Sequence, residues 1–338
     1  MNPTISIIIA TYNGIHFLKK CIPSIYNTEY KSYEIIICDD CSTDGSLEYL
    51  KHIEKQYSNI IIIRNEKNLG AAKSRNNAAL HAKGKYLFFL DNDTEVNPSW
   101  LNGLSDIFES DTSIGAVQSI LIDYHETNKI QLTGIKLIPH VCWGIPLFKD
   151  QPITDIPNHP QEIIALSAAL AVRKDVFEKI TGFDQKLAVY TEDLELSLRI
   201  WIAGFRIINS PQSHVFHWSK KIEDRKEMHA TRENIYFHLS KNSLRTITKN
   251  YQLINVIKFL PAAFIILFIR SVFRIFKGDF SAIDGTAKGV LWYISNIEDT
   301  LVQRKVVQSK LRVYQDGLIF EKVFTKENLL QIYKKYFK

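Results

Sequence analysis

No Gly-x-Gly occurs anywhere in the 338 residues, which removes the glycine turn that a dinucleotide-binding Rossmann site needs after its first strand. A Walker lysine loop is missing as well, so neither familiar glycine cradle for phosphate is available. Cysteine is scarce: Cys21, Cys38, Cys41 and Cys142 are too few and too irregular for a disulfide framework. Cys38 and Cys41 form one C-x-x-C, but the second pair a structural zinc site requires is absent. With Cys38 inside an apolar strand pattern, a redox pair is not expected, and a reducing, cytoplasmic setting fits these thiols. The opening Met1-Asn-Pro-Thr-Ile-Ser-Ile-Ile-Ile9 lacks a basic region and a long apolar run, so no signal peptide is expected. Repeats and low-complexity tracts are also missing. Hydrophobic residues at 46% and charged residues at 23% are ordinary globular proportions. The length allows one large domain with an appendage, or two domains.

What is present begins with alternation. Apolar, β-branched runs at Ile5 to Ile9, Glu34 to Cys38, Ile60 to Ile63 and Tyr86 to Leu90 are separated by helical stretches Phe17 to Tyr26, Gly45 to Tyr57 and Gly70 to Lys83. That is β-α-β-α-β-α-β, the pattern of a parallel sheet covered on both faces. Ligands of open α/β sheets bind at the carboxyl ends of the strands. Those ends read Ala10-Thr-Tyr-Asn13, Asp39-Asp-Cys-Ser-Thr-Asp44, Asn65 to Gly70 and Asp91-Asn-Asp93. A fold that handles phosphate without a glycine cradle can use a metal ion, and Asp-x-Asp at a strand end can share a hard cation. A helix or turn cap is the bland alternative for an isolated pair. The pair has company here: Asp39-Asp40, Glu192-Asp193, and His217 in a strand-like Ser213-His-Val-Phe-His-Trp218.

Beyond residue 114 the pattern is mixed, with strands expected at Ala116 to Ile122 and Ile163 to Val172 and helices at Lys174 to Ile180 and Asp193 to Ala203. Acids at its start and Gly204 after it make the last a helix rather than a strand. Residues 220 to 245 are charge-rich and read as helical. Residues 241 to 338 hold 17 Lys+Arg against 7 Asp+Glu, leaving 25 against 29 for the rest. A basic appendage faces an anionic partner, a membrane surface or a nucleic acid, unless it is simply solvated. Within it Leu253 to Phe276 is the most apolar segment, interrupted by Pro261. Its longest charge-free run, Phe259 to Ile269, is short for a spanning helix. With Arg270, Arg274 and Lys277 at its end, it suits a helix lying in the membrane interface, a buried core helix being the alternative.

The motifs in order are Ser6-Ile-Ile-Ile-Ala-Thr-Tyr-Asn13, Ile36-Ile-Cys-Asp-Asp-Cys-Ser-Thr-Asp-Gly-Ser46, Asn68-Leu-Gly-Ala-Ala-Lys-Ser-Arg-Asn76, Phe89-Leu-Asp-Asn-Asp93, Gly182-Phe-Asp184, Tyr190-Thr-Glu-Asp-Leu-Glu-Leu196 and His217. Together they resemble the family 2 inverting glycosyltransferases of the GT-A fold, and the tail resembles bacterial members that build polysaccharide on lipid carriers, rhamnosyltransferases among them. The resemblance implies a Rossmann-like, mostly parallel mixed sheet in residues 1 to 240, followed by a basic, apolar, membrane-associating helical region at 241 to 338. It implies Asp193 as catalytic base, with Glu192 orienting or binding the acceptor. Ala10, Thr11, Tyr12, Asp40, Gly70, Arg75, Asp91 and Asn92 would bind the nucleotide sugar, Asp40 meeting the base and Asp91 the ribose or metal region. Asp93 and His217 would hold Mn2+ or Mg2+. The implied donor is a nucleotide sugar such as dTDP-rhamnose or a UDP-sugar. The implied acceptor is a saccharide, lipid-linked at the inner membrane surface, with no nucleic acid involved. For Asp193 and Glu192 an N-cap, and for His217 a hydrogen-bonded core position, are the alternatives. Leu187-Ala188 and Ser167-Ala-Ala169 depart from the family pattern near the acceptor, and residues 124 to 160 are expected to shape acceptor choice. A sugar nucleotidyltransferase is the competing enzyme class, although Ala10-Thr-Tyr-Asn-Gly14 is not its first loop. A non-catalytic sugar-nucleotide or membrane-binding scaffold is the other.

Overall fold

The structure, a computed structural model, describes residues 3–218, 231–327 and 331. The four apolar runs become parallel strands β1 (Ile5–Thr11), β2 (Tyr33–Asp39), β3 (Ile60–Arg64) and β4 (Tyr86–Asp91) in the order β3-β2-β1-β4. They are linked by α1 (Ile15–Tyr26), α2 (Ser46–Gln56) and α3 (Ala71–Ala79). Side chains alternate across the sheet, so Ile7, Ile37 and Phe88 join one core with α1 and α2 while Ile8, Ile36 and Phe89 join a second with α3. Two buried faces explain the unbroken apolar runs. Helices α2 and α3 open at Gly45 and Gly70, whose φ angles of 90° and 83° carry no Cβ penalty in glycine.

The second half extends the sheet and turns it mixed. It contributes β5 (Thr94–Val96), α4 (Leu104–Ser110), β6 (Ile114–Asp123), β7 (Ile130–Leu132), β8 (Ile135–Leu137), β9 (Gly144–Pro146), β10 (Ala169–Arg173), α5 (Lys174–Lys179), α6 (Glu192–Ile202) and β11 (Arg206–His217). Past β4 the order is β10-β6-β11-β5, with β10 antiparallel to both neighbours and β7 on β6. The strand expected from Ile163 begins only at Ala169. Leu166 N donates instead to Gln118 Oε1 and Ser167 N to Asp193 Oδ2, which takes these amides out of any ladder.

Helices α7 (Arg232–Asn250), α8 (Leu253–Phe276), α9 (Ser281–Ser295), α10 (Ile297–Val306) and α11 (Asp316–Val323) follow. Of the charge-rich stretch expected to be helical, the part from Arg232 lies in α7, whose Thr231 cap accepts from Asn234 N; residues 219–230 lie outside the described residues. The expected dividing line at 240 falls inside α7, and Leu244, Ile247 and Tyr251 share one buried cluster with Leu196, Leu198 and Ile200 of α6. Helix α8 continues without interruption through Pro261, contrary to the expected break. Phe259, Ala263, Leu267 and Ser271, spaced four apart, form its buried stripe. Arg270, expected to face a membrane, turns inward: its guanidinium lies 4.7 Å from the Trp143 ring and 5.0 Å from the Tyr236 ring, and it donates to Ser240 Oγ. A planar cation gains more between two aromatic faces than on a wet surface.

Candidate active site

The chain leaves β4 through Asp91-Asn92-Asp93 and enters β5 at once, yet β5 lies at the far edge of the sheet against β11. Their antiparallel register sets Thr94 opposite His217 and so delivers the imidazole to Asp93. Ligand atoms of Asp91, Asp93 and His217 all lie within 4.8 Å of one another, and His217 Nε2 is 3.4 Å from Asp93 Oδ1. On the other side of the ring, Nδ1 lies 2.8 Å from Gln131 Oε1. With that oxygen accepting, the proton sits on Nδ1 and Nε2 keeps its lone pair for the cluster. Burial would push the His217 pKa down, but Asp93, Asp91 and Asp123 hold it above the ordinary value. Two carboxylates and one imidazole suit Mn2+, which accepts a borderline nitrogen beside hard oxygens. Asp91 thus sits in the cluster together with Asp93 and His217.

Loops from β1, β2 and β3 close around this end of β4. Asn92 Nδ2 donates to Thr11 Oγ1 at 2.8 Å, while Ala10 pairs with Asp91 and Tyr12 is exposed. This approach requires glycine at residue 14, where a Cβ would stand 2.1 Å from Asn92 Nδ2. Asp40 is buried and its carboxylate is committed to the loop before α3, accepting from Asn65 Nδ2 (2.7 Å), Leu69 N (2.9 Å) and Gly70 N (2.8 Å). The neighbouring Asp39, named in the sequence as part of an acidic strand end but given no role, has a buried Oδ1 with no hydrogen-bond partner among the described residues.

Arg75 of α3 bridges Asp91, at the end of β4, and Glu192, at the start of α6. Nη2 donates to Asp91 Oδ1 at 2.7 Å and Nη1 to Glu192 Oε1 at 2.8 Å, with all but 6% of the residue buried. Burial alone would lower the Arg75 pKa, but Asp91, Glu192 and Asp193 raise it, so the guanidinium stays charged. Beside it, Asp193 Oδ2 accepts from Ser167 N at 3.2 Å and Oδ1 from Leu194 N at 2.8 Å. Burial first and the Glu192 charge second push the Asp193 carboxyl up to about 7, against Arg75 and the two amides. A carboxyl poised near neutrality suits proton abstraction.

The turn that enters α6 is strained. Ala188, Tyr190 and Thr191 have φ of 65°, 58° and 61°, a left-handed conformation that costs a residue with Cβ about 1–2 kcal/mol. Ala188 O accepts from Ala72 N at 3.0 Å, which presses the turn onto α3. Behind α6 the Gly182-Phe-Asp184 motif anchors a buried ionic network. Asp184 accepts from Arg245 Nε at 2.8 Å and pairs with Lys249; Lys249 reaches Glu195 at 2.7 Å, and Glu195 is bound by Arg199 at 2.8 Å. The contribution of α7 was missed in the sequence because its basic residues read as a face for an anionic partner or for solvent. Lys241, Asn242, Arg245 and Lys249 form a stripe at helical spacing, the signal that could have found it. Much of the stretch expected to shape acceptor choice also packs on this extension: Trp143 Nε1 donates to Ser243 Oγ and Tyr251 Oη to Pro139 O.

The family model described as Glycosyl transferase family 2 matches residues 6–181. The chain is 34% identical over 233 residues to the inactive polypeptide N-acetylgalactosaminyltransferase-like protein 5 of Macaca fascicularis, a match covering 65% of this chain and 52% of that protein. It is 31% identical over 192 residues to the poly(ribitol-phosphate) beta-glucosyltransferase of Bacillus spizizenii, covering 50% of this chain and 30% of that protein. The matches thus span about half or less of these relatives' length. Among solved structures, GalNAc-T7 with UDP, GalNAc and Mn2+ is similar at a TM-score of 0.64 and 18% identity, covering 95% of this chain and 57% of that one. A mannosyltransferase from Pyrobaculum calidifontis with GDP-Man and Mn2+ is similar at 0.53 and 16%, covering 92% and 88%. At these identities the likeness is one of fold, and the fold is GT-A-like, as expected.

Proposed function

Because the chain belongs to glycosyl transferase family 2, we propose that it moves a sugar from a nucleotide-sugar donor to a saccharide hydroxyl, with inversion at the anomeric carbon. The observation that supports this reading is the link Arg75 makes between Asp91, in the Asp91, Asp93 and His217 cluster, and Glu192, the neighbour of Asp193. Membership alone does not carry it, since one relative is named as inactive. Asp91, Asp93 and His217 would hold a divalent cation, which when bound would supply positive charge to a departing diphosphate. The imidazole in that set favours Mn2+ over Mg2+.

Asp193 takes the proton of the acceptor hydroxyl as its oxygen bonds to the anomeric carbon. The bond from that carbon to the diphosphate breaks with its electron pair on the nucleoside diphosphate. One base suffices, in contrast to a glycoside hydrolase, which sets two carboxyl groups across the bond. Arg75 holds Asp91 and Glu192 in place through its two ion pairs, and Glu192 helps to orient the acceptor. The donor base fits the corner at Asp39 and Asp40, where the Asp39 oxygen without a partner can accept from a ring N–H. UDP-, GDP- and dTDP-sugars, dTDP-rhamnose included, form the donor class.

For the acceptor we propose a lipid-linked saccharide in polysaccharide synthesis at an anionic membrane surface. Ile254, Ile257, Phe268 and Phe276 of α8 and Leu291 of α9 are exposed, with Lys258, Arg274, Lys277 and Lys288 among them. That combination favours an interface. Helix α8 is long and apolar enough to cross a bilayer; its buried stripe supports a position along the surface. The test is a panel of UDP-glucose, UDP-GlcNAc, GDP-mannose and dTDP-rhamnose with Mn2+ and saccharide acceptors, the product read by NMR. Transfer with inverted anomeric configuration supports the reading; retained configuration, or no Mn2+-dependent release of nucleoside diphosphate from any donor, contradicts it.

A further inference from the structure

Helix α7 offers two adjacent side chains to the turn that leads into the acids of α6. Asn242 Nδ2 lies 2.6 Å from Tyr190 O, 3.0 Å from Val189 O and 3.4 Å from Leu187 O. Lys241 Nζ donates to Lys186 O at 2.7 Å and Leu187 O at 3.0 Å, and also to Asn242 Oδ1 at 2.7 Å. The lysine therefore fixes the amide with its NH2 toward the turn. Both residues are buried, Asn242 completely and Lys241 to all but 2%. The carbonyls they hold flank Ala188, where the left-handed stretch begins.

Three left-handed residues with side chains persist only where their surroundings over-determine them. Here α3 grips the turn from one side through Ala72 N and Ala188 O, and α7 grips it from the other. The next residues are Glu192 and Asp193. We infer that Asn242, oriented by Lys241, is a positioning residue: it holds the 188–191 turn in its left-handed form and thereby fixes the direction of the Asp193 carboxylate. The inference rests on Asp193 acting as the base. It makes the helical extension part of the machinery of transfer as well as the bearer of an apolar surface.

The test uses the full chain with Asn242→Ala, alone and combined with Ala188→Gly, which adopts positive φ without a Cβ penalty. Amide hydrogen exchange over residues 186–193 should accelerate by about 10-fold or more while residues 86–93 stay unchanged, because only the turn has lost its clamp. Mn2+-dependent turnover of the active panel donor should fall by about 10-fold to 10²-fold, the scale of a small misplacement of a reacting group. Affinity for UDP with Mn2+ should stay within about 2-fold of wild type, and Ala188→Gly should restore part of the turnover. Unchanged exchange or turnover overturns the inference, as does parallel loss of UDP binding or no recovery with Ala188→Gly. Asp193→Asn run alongside separates the two failures. Wild-type turnover in Asp193→Asn removes the base and this inference together, whereas an inactive Asp193→Asn beside a fully active Asn242→Ala removes this inference alone.

Discussion

As the proposed base, Asp193 would need to be ionised, yet burial and Glu192 hold its carboxyl at about 7. Below that pH it is protonated and idle, so kcat/KM should rise with pH through about 7. A profile flat from pH 5.5 to 8 at about constant Mn2+ would speak against the base. Arg75 lowers that value, and it pairs both Asp91 and Glu192. Arg75→Met should therefore move the acidic limb upward and cost about 3–5 kcal/mol in urea unfolding, the usual penalty for stranding buried partners; an unmoved limb would show that the bridge does not tune Asp193. Much of this residue-level picture was legible. Asp91, Asp93, His217 and Asp193 stand out as acids and an imidazole at element ends; the structure gathers the first three into one cluster, which Arg75 ties to Glu192 next to Asp193. The division of labour between Asp39 and Asp40 was not legible. Both carboxylates end the same strand, and which one is drawn into the Asn65–Gly70 loop depends on how the chain turns once Asp40 N bonds Thr11 O.

Elements place those residues, and the buried network between α6 and α7 places the elements. Burial alone would raise the Glu195 carboxyl, but Arg199 and Lys249 hold it at about 2, below its ordinary 4.5. Asp184 is held below the usual carboxylate range by Lys249 and Arg245, also against burial. A depressed folded-state value contributes stability that is complete above the unfolded value and lost as pH falls toward the folded one. The melting temperature should thus decline between pH 4.5 and 2, and Glu195→Gln should shallow that decline while lowering stability at pH 7 by about 3–5 kcal/mol. An acid limb as steep as wild type would rule out Glu195 as its source. Four parallel strands and the helical reading of α6 were visible in apolar periodicity and in acids at a helix start. The shortened β10 was not, because Gln118 and Asp193 capture the amides of Leu166 and Ser167 from outside the local sequence. The role of α7 escaped for a similar reason: Lys241, Arg245 and Lys249 are buried against partners that only folding supplies.

Across the whole molecule, the extension shares a core with the catalytic half and carries exposed apolar residues on α8 and α9. Deleting α8 would also remove its buried stripe, so the membrane proposal is better tested at the surface. Ile257→Asp with Phe268→Asp should abolish flotation with phosphatidylcholine–phosphatidylglycerol vesicles and leave the melting temperature nearly unchanged. Vesicle binding that survives both changes would place the contact elsewhere. The proposed site has a donor half built on Asp93 and an acceptor half built on Asp193. The direct measurement is Mn2+-dependent nucleotide-sugar binding by calorimetry and turnover, on the same preparations of wild type, Asp93→Ala and Asp193→Asn. Asp93→Ala should lose both, whereas Asp193→Asn should bind as wild type and turn over about 10²-fold to 10⁴-fold more slowly. Wild-type turnover in Asp193→Asn, or undiminished Mn2+-dependent binding in Asp93→Ala, would contradict it.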